Sequence, residues 1–144
     1  MWNETADSSP RQQTRHWPAV LGVCLAALTI TVGELLPPTL AADLHAMILV
    51  FITAVYVGFA SVDGDGRALL VEIGGVALFC SLAVSGLWVW SPLWIVGYVG
   101  HAVWDTLHHP NGAFGADIVG WYLPLCVVYD LLIAGYLAVV LVAV

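Results

Sequence analysis

The chain reads as an all-α integral membrane protein, with about five transmembrane helices in a compact antiparallel bundle. Three observations predict this. Hydrophobic residues make up 61% of the 144-residue chain and charged residues only 9%, where a soluble domain carries roughly a quarter charged residues. The mean hydropathy is +0.95, and the apolar stretches are apolar all round rather than along one stripe, as in a lipid-facing helix. Each long stretch also approaches the roughly 20 residues that a helix needs to cross a bilayer. Little chain remains for a soluble domain. A polar N-terminal tail (1–16) and a single transmembrane domain (17–144) account for all of it.

The first span is expected over 18–36, stopped by Pro37-Pro38. Arg11, Arg15 and the apolar run after them have the first two parts of a signal peptide. Glu34 and the proline pair stand where a cleavage site would be, so an uncleaved anchor is expected. The second span is expected over 44–61 and the third over 68–90. Ser91-Pro92 then has the pattern of an N-cap followed by proline at the first helical position. The fourth span, 93–109, is the shortest and ends before Pro110. The fifth starts between Trp121 and Pro124 and covers about 122–143. Only the connection 111–120 is long, which favours antiparallel neighbours. Trp88, Trp90, Trp94 and Trp121 lie near span ends and suit an interfacial belt.

Charge sets the orientation and excludes some functions. The three basic residues are Arg11, Arg15 and Arg67, and there is no lysine. Five spans with the N-terminus inside put all three in the cytoplasm, as the positive-inside rule expects for a multi-pass protein of the cell membrane. A net charge of −7 leaves no basic surface for nucleic acid. The partners expected are membrane lipid and a lipophilic small molecule; monomer and homodimer stand level. Cys24, Cys80 and Cys126 fall in three different spans without a Cys-x-x-Cys pair and read as packing residues.

The chemistry concentrates in residues 98–110, YVGHAVWDTLHHP. Ionisable side chains inside a membrane are costly and are functional candidates by default. At about 100° per residue, His101, Asp105 and His108 share one face of the fourth helix, with His109 at its edge. The i, i+4 spacing lets His101 and Asp105 touch each other or one ion. His101 and His108 stand about 10 Å apart along the axis, so one metal is not expected to take both. By depth, His101 is expected to meet Asp130 of the fifth span near the midplane. Glu72 of the third span, Asp105, His108 and His109 are expected nearer the cytoplasm. The catalytic candidates are His101, Asp105 and Asp130; the metal candidates are Asp105, His108, His109 and Glu72. Tyr122 and Tyr129 can add phenol hydrogen bonds, and Asp117 can close the site from its loop. Glu34 and His45 lie at the other side and form a separate outer pair or a polar cap.

Imidazole and carboxylate are ligands for a divalent transition metal such as zinc, iron or manganese, which can activate water or oxygen. Without metal, a His–Asp pair can shuttle a proton. The same groups can also simply hydrogen-bond helices together. Asp63-Gly-Asp-Gly starts like a calcium loop, but its twelfth position is Gly74 rather than glutamate, so a tight turn is expected. Asp105-x-x-His-His has the form of one box of the di-iron desaturases, which need more histidines than the five present here.

Three blocks, YVGFASVDGDGR (56–67), GYVGHAVWDTLHHP (97–110) and WYLPLCVVYD (121–130), resemble a family of small prokaryotic integral membrane proteins with a G-H-x-x-W-D-x-x-H-H-P signature. The resemblance covers about residues 45–140. It implies the membrane topology and no particular reaction. His101-x-x-x-Asp105 is also similar to the His-x-x-x-Glu pair of sterol-isomerase-like membrane domains. Here aspartate replaces glutamate and the pair comes late in the chain. That similarity implies acid–base chemistry on an apolar ring or polyene. Three functions follow as expectations: a metal-dependent or acid–base enzyme acting on a lipid or isoprenoid, an ion- or proton-relay or ligand-binding component, and a structural subunit.

Overall fold

The computed structural model describes residues 16–63, 65–108 and 114–142. Arg11, Arg15, His109 and Pro110 lie outside the described residues. Those described form five helices and no strand: α1 (Trp17–Leu35), α2 (Pro38–Asp63), α3 (Gly66–Trp88), α4 (Leu93–Leu107) and α5 (Tyr122–Val142). Four of them, α1, α2, α3 and α5, are long and apolar enough to cross a membrane. At 15 residues, α4 spans about 22 Å and falls short of the full span expected over 93–109. It ends at Leu107 because the His108 backbone N–H turns back onto the carbonyls of Asp105 and Thr106.

Two boundaries differ from the sequence expectation. α2 begins at Pro38, six residues before Leu44, leaving only Leu36 and Pro37 between α1 and α2. Proline at position 37 holds Leu36 extended (φ −91°, ψ 152°) and so ends α1. Pro38 then opens α2, where a missing N–H costs nothing. Ser91 does not cap α4. The helical backbone of Pro92 takes the N-cap position without a side-chain bond, and the chain enters through backbone turns from Leu93 to Trp90 and from Trp94 to Ser91. Asp65 does cap α3, its carboxylate accepting the Arg67 N–H at 2.9 Å.

The helices close a ring in chain order, with α1 against α5 as well as α2, and α2 also touching α4 across the ring. α4 therefore packs on three helices: α2, α3 and α5. Its inner face reads Trp94, Tyr98, His101, Ala102 and Asp105, all buried. Trp94 is thus a core residue rather than part of a belt, its indole N–H donating to the Ala83 carbonyl at 3.0 Å. Trp88, Trp90 and Trp121 are exposed. Close approach of α3 to α4 depends on Gly75, where a Cβ would lie 2.6 Å from the Trp104 ring.

The distribution of polarity is inverted relative to a soluble bundle. Among the largest fully buried side chains are Tyr56, Tyr98, His101, Glu72, Asp105 and Asp130, beside Leu49 and Ile133. Phe51, Met47 and Leu70, by contrast, face outward. After α4, residues 114–121 fold back beneath the bundle and bury Ala116 and Ile118 against Tyr56, Ala60, Ala68 and Leu123.

Candidate functional site

Because α4 touches three helices, each polar residue on its inner face meets a different one. His101 faces α5: its Nδ1 lies 2.7 Å from Asp130 Oδ2. Asp105 faces α2: its Oδ1 accepts a hydrogen bond from the Tyr56 hydroxyl. His108, at the end of α4, faces α3: its Nε2 lies 2.8 Å from Glu72 Oε1. One helical turn also brings His101 Nδ1 to 3.6 Å from Asp105 Oδ1. The ionisable residues thus form two groups, a deep one of His101, Asp105 and Asp130 and a shallow one of Glu72 and His108.

In the deep group each residue offers one ligand atom, and these atoms lie within 4.8 Å of one another. All three residues are completely buried. Asp105 and Asp130 thus bring two carboxyl groups to one point, with no hydrogen bond between them. Ionised carboxylates only accept hydrogen bonds, so neither satisfies the other. His101 Nε2, Asp105 Oδ2 and Asp130 Oδ1 consequently have no donor or acceptor among the described residues. Among the described residues no lysine or arginine belongs to the group, and Arg67 is exposed at the start of α3. Two buried carboxylates at this separation require positive charge from elsewhere, as protons or a metal cation, because uncompensated buried charge costs several kcal/mol per ion, of order 20 kcal/mol in the idealised limit.

The shallow group is saturated instead. Glu72 accepts the Ala116 backbone N–H at 2.9 Å and the Trp104 indole N–H at 3.3 Å, besides its bond to His108. His108 Nδ1 lies 2.8 Å from the Trp104 carbonyl. A carbonyl only accepts, so Nδ1 carries a hydrogen. With three donors converging on Glu72, the pair is best satisfied as imidazolium and carboxylate. Gly115 allows this closure. Its φ of +69° is in the left-handed region, and a Cβ there would run into both Glu72 and His108.

The candidate catalytic residues His101, Asp105 and Asp130 stand together. Of the candidate metal residues, Glu72 and His108 are paired, Asp105 lies with the deep group, and His109 is outside the described residues. Among the described residues, the group with metal-ligand spacing is His101–Asp105–Asp130. Tyr122 contributes a ring against Tyr56, centroids 6.0 Å apart. Tyr129 bonds Thr29 across α1 and α5 at 3.1 Å. Asp117 is exposed, and the loop closes the site through the backbone of its neighbour Ala116. At the far end, Tyr136 stands between Glu34 and His45: its hydroxyl donates to Glu34, and its ring lies 5.9 Å from that of His45.

Tyr56 is the site residue that sequence reasoning did not single out. Its ring is edge-on to His101 at 5.5 Å and to His108 at 5.0 Å, so it separates the two groups. A lone tyrosine in an apolar run carries no spacing signal.

A cleft of about 350 Å³ runs between α4 and α5. Its walls are Thr106, Gly120, Leu123, Pro124, Val127 and Val128, and Asp105 closes its inner end. Comparison with protein-family models, with curated proteins and with solved structures yields no match. The site's own chemistry must therefore carry the functional reading.

Proposed function

We propose that this chain is a multi-pass membrane protein with a cation site at His101, Asp105 and Asp130, serving a metal-dependent or acid–base reaction on a lipophilic substrate. The observation that carries the reading is the deep group itself: two carboxylates and an imidazole, wholly buried, mutually within 4.8 Å, with no lysine or arginine beside them among the described residues. Membrane placement is supported by four sufficiently long apolar helices and by the polar interior under an apolar exterior. The fourth crossing would be completed by α4 together with the loop packed beneath it.

The donor set fits a divalent transition metal. Nδ1 is the imidazole nitrogen that faces both carboxylates, 2.7 Å from Asp130 Oδ2 and 3.6 Å from Asp105 Oδ1, and with the ring hydrogen on Nε2 it would offer a metal its lone pair there. One nitrogen and two carboxylates suit manganese, iron or zinc. Bound there, such an ion would act as a Lewis acid. Asp105 would anchor it and receive a proton from the substrate, while Tyr56 holds the Asp105 carboxyl in place and the apolar walls exclude water.

Metal analysis by mass spectrometry of the detergent-purified protein tests this reading. A near-stoichiometric transition metal is expected, falling about tenfold or more in Asp105→Asn and Asp130→Asn and unchanged in Glu72→Gln. A folded protein that takes up no manganese, iron or zinc would refute the metal. A second reading is favoured by the polar row Tyr56, Asp105, His101 and Asp130, in which His101 Nδ1 lies 3.6 Å from Asp105 Oδ1 and 2.7 Å from Asp130 Oδ2. In it, protons alone neutralise the group and the site performs acid–base or relay chemistry. Proton flux in liposomes that disappears in Asp130→Asn, from a metal-free protein, would support that reading.

A further inference from the structure

The α4–α5 cleft is apolar along its walls and ionisable only at its inner end, where Asp105 closes it. Leu123, Pro124, Val127 and Val128 offer nothing to a polar molecule. The Thr106 hydroxyl is already used, donating to the Val103 carbonyl at 2.7 Å. Pro124 and Gly120 are exposed and Val127 and Val128 half-buried, so the cleft is open to the outside along the first two turns of α5. Asp105 itself is wholly buried, with Oδ1 held by Tyr56 and Oδ2 unpartnered. The cleft is thus a hydrocarbon channel bordered at its buried end by the residue that carries the unpartnered Oδ2.

From these features we infer that the cleft binds a lipid alcohol, a single hydroxyl on a long apolar chain, entering sideways from the bilayer with its hydroxyl at Asp105. The chemistry selects the head group. A hydroxyl donates to a carboxylate and also offers a lone pair to a neighbouring cation. A fatty acid would bring a third negative charge to two aspartates, and a hydrocarbon would leave Asp105 unpartnered. The volume, about 350 Å³, lies within the range of small-molecule sites. This inference rests on the membrane site proposed above and names its ligand class. Straight-chain and isoprenoid alcohols share this chemistry.

The test is photo-crosslinking of the full-length protein in nanodiscs with three diazirine probes: a straight-chain fatty alcohol, an isoprenoid alcohol, and the methyl ether of whichever alcohol labels better. Mass-spectrometric mapping should place the label on residues 120–128. The alcohol should label about tenfold more than its ether, as loss of a hydrogen bond to a charged group implies. Val127→Phe, which fills the cleft at a half-buried position, should reduce labelling there, and Asp105→Asn should narrow the preference for alcohol over ether. The better-labelling alcohol identifies the chain type. Equal labelling by alcohol and ether, or label spread evenly over the outward faces of α1, α2 and α3, overturns the inference. Metal content of the same samples keeps the two proposals apart. Even labelling of a cation-loaded protein removes the alcohol and leaves the cation site; specific labelling of a protein that takes up no cation does the reverse.

Discussion

Glu72 and His108 are the clearest case of a residue pair whose worth depends on completeness. Every polar atom of the pair has a partner, and the pair is almost wholly buried. Removing one partner strands the other as an unpaired buried charge, which costs about 3–5 kcal/mol. Glu72→Gln and His108→Ala should each lower the unfolding midpoint in detergent by an amount of that order. The double variant should lose clearly less than the sum of the two, since both singles remove the same pair. Additive losses would mean that the two side chains act separately. Gly115 carries its own prediction. Gly115→Ala meets a left-handed backbone and two side chains at once, so it should destabilise by about 2 kcal/mol or more, read from the same unfolding midpoint. Gly120→Ala, with open space around its Cβ position, is the control and should change little.

At the scale of the element, α4 joins sequence to function most directly. Its 3.6-residue period places His101, Asp105 and His108 on one face, which the sequence displays openly. The period cannot say which neighbouring helix each side chain meets. Asp105 illustrates this. By depth along the helix it could join either histidine; it stands 3.6 Å from His101 Nδ1, while α2 brings Tyr56 onto the same carboxylate oxygen. The α3–α4 contact that sets Glu72 against His108 depends on the absence of a side chain at Gly75. Gly75→Leu should therefore displace Trp104, which is measurable as a change in tryptophan fluorescence and a loss of stability of about 1–3 kcal/mol. An unchanged spectrum would mean that α3 and α4 do not approach as closely as described. The early start of α2 was also legible, because Pro38 is a good first helical residue. The added turn carries Thr39 and Asp43, polar residues that a helix end tolerates.

For the whole molecule, the expected outcome is a multi-pass protein that resists extraction from membranes by alkaline carbonate and partitions with detergent. Five crossings put the two termini on opposite sides. Labelling of single cysteines added at the two ends of the chain should then find them accessible from opposite faces of the membrane. Labelling of both from one side would show that α4 and its loop return the chain without crossing. Length, hydropathy and residue type are enough to determine that this chain is helical and built of long apolar segments, because each helix satisfies its own backbone hydrogen bonds and needs no partner to do so. The same information marks α4 as the polar element, since a helix face follows from spacing alone. Only the tertiary structure decides that α1 closes the ring on α5, that Asp105 stands with His101 and Asp130 rather than with Glu72 and His108, and that the loop backbone seals Glu72. Those pairings join residues far apart in the chain; Thr29 and Tyr129 are a hundred positions apart. They depend on how helix surfaces fit side by side, which no local periodicity records.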